Sequence, residues 1–202
     1  MNLRGPKAKI SRRLGVALTQ KVQKVLDRRN YAPGQHGPAA RSNEPKSVYG
    51  KQLREKQRLR AQYNISERQL RNYFVRARRN PASTGEALLG MLECRLDAVI
   101  YRGGWARSIF AARQYAAHGH FEVNGRRVNR PSIHLRPGDE IRLREPSQTC
   151  PTFLDERLLQ QLIPEYLEVD RERFCVRLLR QPSAHEIPVL CNLAMVVEFY
   201  SR

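Results

Sequence analysis

Phe121-Glu122-Val123-Asn124-Gly125-Arg126-Arg127-Val128 places Asn-Gly at the centre of an alternating run. A type I′ turn needs positive φ at both central residues, and Asn followed by Gly meets that need at least cost. The spacing therefore predicts a β-hairpin in which Phe121 faces Val128 and Glu122 faces Arg127. Downstream, Pro137-Gly138-Asp139 marks a second turn. Ile141 and Leu143 then alternate with Arg142 and Arg144, as a half-buried strand requires. Upstream, Ser83-Thr84-Gly85-Glu86 has the form of a capping box. Leu88, Leu92, Leu96 and Val99 follow at helical spacing, with a break expected at Gly90 and a stop at Gly103-Gly104. Ser108 caps a further helix that turns Ile109, Ala112 and Ala116 inward and ends at Gly119. The order is helix, helix, hairpin, strand.

The flanks read differently. Arg4-Gly5-Pro6-Lys7-Ala8-Lys9-Ile10-Ser11-Arg12-Arg13 mixes cations with breakers and has too few apolar side chains to fold unaided, and with the irregular segment from Tyr31 to Pro45 it assigns residues 1–45 to one extension. They are expected to form a basic arm that orders on RNA; two Pro and two Gly in Ala32-Pro33-Gly34-Gln35-His36-Gly37-Pro38 forbid a helix there. From Lys51 to Arg79 the composition becomes helical. Ser66-Glu67-Arg68-Gln69 is a capping box, with Ile65 and Leu70 placed as its hydrophobic staple. Leu70, Tyr73, Phe74 and Ala77 share one face, Arg68, Arg71, Arg76, Arg78 and Arg79 cover the rest, and Pro81 limits the run. Beyond residue 145 the pattern predicts a short helix with Leu154, Leu158 and Leu162. Strands are expected over Tyr166–Val169, Phe174–Leu179 and Met195–Tyr200.

Charge narrows the partner. The 202 residues carry a formal net charge of +18, of which +16 lies in residues 1–90, +4 in residues 91–145 and −2 in the remainder. Self-repulsion on that scale calls for a polyanion. A membrane-surface binder would couple cations to an exposed apolar stripe with Trp or Phe, but the single Trp, Trp105, lies outside the most basic region. Apolar runs such as Ala194–Val197 are far too short to span a bilayer, and no signal-peptide pattern opens the sequence, so no membrane partner is expected. Nucleic acid fits better. Aromatics are few, so phosphate contact outweighs base stacking. Cys94, Cys150, Cys175 and Cys191 form no CxxC half-site, so neither a zinc site nor a disulfide framework is indicated, and reduced thiols in a cytosol-like compartment are expected.

Leu92-Glu93-Cys94-Arg95-Leu96-Asp97, Ala112-Arg113-Gln114, His118-Gly119-His120, Val123-Asn124-Gly125 and Arg136-Pro137-Gly138-Asp139 together resemble the RNA-binding module of the S-four family of small-subunit ribosomal proteins. The flanking Gly5-Pro6-Lys7, Ala32-Pro33-Gly34-Gln35-His36-Gly37, Tyr49-Gly50-Lys51-Gln52-Leu53-Arg54-Glu55-Lys56-Gln57, Thr84-Gly85-Glu86, Tyr166-Leu167-Glu168-Val169-Asp170 and Val197-Glu198-Phe199-Tyr200-Ser201 resemble the bacterial and organellar form over nearly the whole chain. The resemblance implies a structural component that binds small-subunit rRNA early in assembly near a multi-helix junction. It also implies contact with neighbouring small-subunit proteins, a place beside the mRNA entry path and an influence on decoding accuracy. Some relatives carry a cysteine zinc cluster in the arm; this chain has no Cys before Cys94, so no metal is expected. Many relatives have Glu where Ala111 stands, which removes one half of a capping box at Ser108.

These readings together give an α+β fold: a basic arm over 1–45, a helical rRNA-binding domain over 46–90, the S-four-type module over 91–145, and a C-terminal helix and strands over 146–202. RNA contact is expected from Arg4, Lys7, Lys9, Arg12, Arg13, His36, Lys51, Arg54, Lys56, Arg58, Arg68 and Arg71 in the first half. The module adds Arg95, Arg107, Arg113, Gln114, His118, Asn124, Arg126 and Arg127. Arg95-Leu96-Asp97 matches a triplet that carries the nucleophilic Asp of some pseudouridine synthases, but without a surrounding catalytic domain Asp97 is expected to be a surface residue beside Arg95. No catalytic residue and no cofactor is assigned. A free RNA-binding factor would need only the module, and a pseudouridine synthase is the remote third reading. The absence of a transit-like leader favours a bacterial cytosol, and a plastid-encoded protein, which would also lack one, stays open as the organellar alternative.

Overall fold

The computed structural model describes residues 5–39, 45, 47–80, 83–155 and 162–202. Arg4, Pro81 and the centre of the helix expected around Leu158 lie outside the described residues. The chain divides into two compact units, Met1–Leu88 with Pro188–Arg202, and Leu89–Ile187. Composition places boundaries at 45, 90 and 145; packing instead splits the last of these regions, with residues up to Ile187 in the unit of the module and Pro188–Arg202 in the first unit.

In the first unit, helices α1 (Lys7–Leu14), α2 (Gln20–Arg28), α3 (Val48–Gln62), α4 (Glu67–Ala77) and α9 (Leu193–Ser201) are packed together with the start of α5 (Thr84–Glu93). Two expectations change here. The arm is helical over α1 and α2 and packs on α3, because Leu14, Val16, Leu18 and Val22 find burial there that no local run could supply. The strand expected over Met195–Tyr200 is helix α9. Its alternating Val and aromatic side chains suggest a strand, but the Asn192 side chain caps the helix by accepting from Met195 N, and α9 lies along α3. Tertiary packing here overrides β propensity.

Glu67 ties three helices of this unit together. Its carboxylate accepts from Lys56 Nζ of α3 at 2.9 Å and from the Tyr200 hydroxyl of α9 at 2.7 Å. Burial opposes its ionisation, but hydrogen bonds from Lys56 and Tyr200 and the charges of Lys56 and Arg60 hold its pKa below the usual value. A depressed carboxylate pKa adds stability above the unfolded pKa, and that stability is lost as pH falls through the folded value. Denaturant midpoints followed by far-UV dichroism from about pH 6 to pH 3 are expected to decline less steeply for Glu67→Gln than for the parent. Parallel curves would refute the linkage.

The second unit contains the module. Helix α6 (Leu96–Arg102) and helix α7 (Ile109–Ala117) precede β1 (Phe121–Val123), β2 (Arg126–Val128) and β3 (Glu140–Leu143); the short helix α8 (Glu145–Gln148), β4 (Leu167–Asp170) and β5 (Cys175–Leu178) follow. The sheet is antiparallel in the order β2-β1-β3-β5-β4. The hairpin has the register read from the sequence, Phe121 opposite Val128 and Glu122 opposite Arg127, with Asn124 at φ 50° and Gly125 at φ 74°. Trp105, Phe121, Leu135, Ile141, Leu143, Tyr166, Val176 and Leu178 join Leu96, Val99 and Ile100 in one core. The Ser108 side chain caps α7 through Ala111 N, and one half of the box is made although Ala111 supplies no carboxylate.

The break between α5 and α6 falls at Cys94–Arg95, not at Gly90. Arg95 is extended (φ −79°, ψ 144°), and the 131–135 segment runs beside it: Leu135 N donates to Cys94 O, Leu96 N to Ile133 O and Asp97 N to Pro131 O. Those distant partners satisfy backbone groups that a continuous helix would otherwise have paired locally.

Candidate nucleic-acid interface

Exposure and pairing sort the cations of this chain into two populations. On α4, Leu70, Phe74 and Ala77 are buried, so the 3.6-residue period turns Arg68, Arg71 and Arg76 outward; Arg78 and Arg79 continue past the helix end, also exposed. Among the described residues none of these five arginines has an ion-pair partner. The Ser66–Gln69 capping box at the start of α4 fixes the helix that carries them, with Gln69 N donating to Ser66 Oγ and Ser66 N to Gln69 Oε1. Lys7, Lys9 and Arg13 of α1 are also exposed, as is Lys51 of α3. Helix α2 adds Lys21, Lys24 and Arg28, followed by Arg29, all exposed. These α2 cations are not among the sequence candidates, although Lys21, Lys24 and Arg28 recur at helical spacing opposite the buried Val22.

Other candidates of the first unit serve the fold. Lys56 is 6% exposed, bonded to Glu67, and its ammonium lies 4.1 Å from the centre of the Phe199 ring. This corrects its assignment to RNA: an ammonium sheltered by a carboxylate and an aromatic face is not offered to a phosphate. Arg58 is half-buried, donating to Leu14 O and pairing with Glu55. Arg12 donates to Tyr31 O and Ala32 O and stacks on Tyr31, so it closes the 31–39 turn region, where His36 is exposed. Arg54 lines a polar cavity with Lys51, Glu55 and Arg58.

In the second unit, Arg126 and Arg127 project from the hairpin and are exposed without an ion pair among the described residues, as are Arg130 and Arg136 beyond it. Gln114 and His118 are exposed on and after α7. Arg107 is exposed but pairs with Asp155. Asn124 is exposed, yet its side chain is committed within the fold, with Nδ2 donating to Asp139 at 2.8 Å and Oδ1 accepting from Glu140 N at 3.0 Å. Across β3, β4 and β5 the charges instead interleave: Arg142 and Arg177 pair with Glu140, and Arg173 with Asp170. That mixed face neutralises itself locally. His120 is held neutral more readily than a free imidazole, by burial first and then by the neighbouring His118 and Arg144; its Nδ1 meets Ser147 Oγ.

Two sequence readings are overturned at Arg95-Leu96-Asp97. Asp97 is not on the surface: both it and Arg95 are fully buried, with Arg95 Nε and Nη2 on the two carboxylate oxygens at 3.0 and 2.8 Å. Arg95 therefore does not present its guanidinium to RNA. Asp97 also accepts from Ala98 N and from Arg113 Nη1, so no oxygen is left to attack a substrate. The same contact holds Arg113, whose side chain is 17% exposed, against the α6 start. A second buried acid, Glu93, accepts both Arg102 Nε and Nη2 and the Tyr166 hydroxyl. The thiol of Cys94 beside it is pushed up to about 11 by burial and then by Glu93. Among the described residues no group of three or more His, Cys, Asp or Glu is placed to hold a metal ion.

Comparison with known families agrees with this geometry. Residues 94–141 match the S4 domain, and residues 2–93 match the ribosomal protein S4/S9 N-terminal domain. The chain is 46% identical over 201 residues to small ribosomal subunit protein uS4 of Streptomyces avermitilis, covering 98% of this chain and 97% of that one. It is 44% identical over 206 residues to the protein of that name from Natranaerobius thermophilus, covering 98% of both, and 46% identical over 197 residues to that from Micrococcus luteus, covering 95% of this chain and 94% of that one. The paired helices, hairpin and following strand thus define an S4-domain protein. With matching flanks at both ends, the chain belongs to the uS4 family of small ribosomal subunit proteins.

Proposed function

We propose that this chain is a structural component of the small ribosomal subunit, in a bacterial cytoplasm, that binds small-subunit rRNA through two separate cationic surfaces. The uncompensated α4 arginines carry the reading. A solvated helix ordinarily interleaves both signs, whereas Arg68, Arg71, Arg76, Arg78 and Arg79 have no ion-pair partner among the described residues. Phosphates are the partner that such a face suits, and counterion release supplies much of the affinity. Arg126 and Arg127 on the hairpin form the second surface, and linkage on one chain raises the effective concentration of each. Near-full-length likeness to proteins named for the small subunit supports the choice of rRNA over other polyanions. The proposed role extends to what the sequence resemblance implies: early binding near a multi-helix junction, contact with neighbouring proteins and the mRNA entry region, and an effect on decoding accuracy. The protein acts by holding RNA, not by catalysis; the burial of Asp97 removes the one catalytic motif in the sequence.

Equilibrium binding of the full chain to small-subunit rRNA across a salt series tests this directly. The expected plot of log affinity against log salt is linear and steep, since each neutralised phosphate contributes a slope of roughly −0.9 on duplex and −0.7 on single strands. Excess transfer RNA should not displace the complex. A flat salt response, or equal affinity for both RNAs, would overturn the proposal.

A further inference from the structure

The hairpin tip is chemically the most labile dipeptide type in the chain, and its surroundings govern that lability. Asn-Gly undergoes deamidation because Gly has no Cβ to obstruct its nitrogen. The Gly125 backbone nitrogen attacks Asn124 Cγ, the N–Cγ bond forms and the Cγ–Nδ2 bond breaks. Nδ2 leaves as ammonia with the proton from the Gly125 nitrogen, and water opens the resulting succinimide to Asp or isoaspartate. Asn124 and Gly125 are exposed, and nothing lies within 4 Å of where a Gly125 Cβ would stand, so water and base have free access.

What restrains the reaction is a latch. The Asn124 amide is fixed at both ends, Nδ2 to Asp139 and Oδ1 to Glu140 N, while Asn124 N donates to Glu140 O at 2.9 Å. Asp139 is itself fixed, because its other oxygen accepts from Arg136 N at 2.7 Å. Swinging Cγ toward the Gly125 nitrogen requires both side-chain bonds to break together. The latch also joins the hairpin that carries Arg126 and Arg127 to the Arg136–Asp139 turn. We propose that Asn124 is a latched deamidation site: the Asp139 and Glu140 contacts keep it unreacted in the folded chain, and its conversion releases the hairpin tip and weakens the grip on RNA. After conversion a carboxylate replaces the donor facing Asp139, so two negative charges meet where a hydrogen bond stood. The RNA consequence rests on the function proposed above; the protection does not.

The test ages the full chain at pH 8 and 37 °C, folded and in urea, and follows the tryptic peptide 114–126 by mass spectrometry. The folded chain is expected to react about tenfold or more slowly than the unfolded one, since reaction must wait for local opening. Asp139→Ala should bring the folded rate up by about tenfold, whereas Asp139→Asn, which keeps one oxygen for Asn124 Nδ2 but gives up the acceptor for Arg136 N, should fall between the parent and Asp139→Ala. Near-UV dichroism checks that both variants fold. Equal folded and unfolded rates, or identical rates in the two variants, would overturn the latch. In rRNA binding, Asn124→Asp is expected to weaken affinity several-fold. The charge-conserving swap Asn124→Asp with Asp139→Asn is expected to restore it, because the swap rebuilds the donor–acceptor pair. Loss in both would refute the release step. If the unmodified chain itself ignores rRNA, the proposed function fails while the rate comparison still decides the latch.

Discussion

Asp97→Ala is expected to destabilise the Leu89–Ile187 unit by about 3–5 kcal/mol, the cost of leaving a buried charge without its partner. Arg95 has no exposed surface and directs two guanidinium nitrogens at Asp97, so the variant removes the carboxylate that faces that buried guanidinium. The Ala98 amide loses its acceptor, and Arg113 loses the anchor that holds it at α6. Removing both members of the pair is a different experiment. Arg95→Met with Asp97→Leu replaces the pair by apolar volume and is expected to recover most of the loss, because desolvation of two ions offsets much of their attraction. Urea unfolding followed by the fluorescence of Trp105, the single Trp and a member of this unit's core, reports the effect. A cost for Asp97→Ala below about 1 kcal/mol would place the pair with exposed salt bridges and remove its structural role.

The hairpin was legible because its determinants are local. Asn124 and Gly125 set the turn, the turn sets the register, and alternation then assigns faces without reference to any other part of the chain. The caps at Ser66 and Ser108 were legible for the same reason. The α9 segment was not, since Met195, Val197 and Phe199 alternate with Val196, Glu198 and Tyr200 in a way that serves either a strand or a helix. Only the Asn192 cap and the α3 surface distinguish them, with Gln52 donating to Glu198 and Asn192 N to Glu55. The helices of the arm escaped notice because their apolar content suffices only when α3 supplies the other half of the contact.

Charge type alone could not separate interface from core. Arg95 and Lys56 read as RNA contacts because cations are seldom buried, and each is buried with an acid that meets it: Asp97, two residues on, whose burial depends on the surrounding core, and Glu67, on another helix. The α2 cations are missed for the converse reason: within a stretch assigned to an arm, the common spacing of Lys21, Lys24 and Arg28 carries no meaning. Once α2 is helical, that spacing becomes a face.

Replacing Arg68, Arg71 and Arg76 together by Gln is expected to cost about a hundredfold in rRNA affinity near physiological salt, with little change in stability. The magnitude follows from counting. If each arginine neutralises one phosphate, each contributes roughly −0.9 to the slope of log affinity against log salt, or about fivefold at 0.15 M, and three compound to the figure given. Gln preserves helix propensity and the Cβ–Cγ stem while removing the charge, and the apolar face of α4 is untouched, since Leu70, Phe74 and Ala77 are the buried residues of that helix. The slope is the more telling observable, because general damage to the fold would reduce active protein without altering the salt exponent of what remains. A slope shallower by about 2 to 3 units counts the phosphates held by this face. The same triple substitution should leave the exponent difference produced by Arg126→Gln with Arg127→Gln unchanged, because the two surfaces belong to different units and share no side-chain partner among the described residues. An unaltered exponent in the triple variant would mean that the α4 arginines face solvent in the complex, and the interface would then have to be sought on α1, α2 and the hairpin.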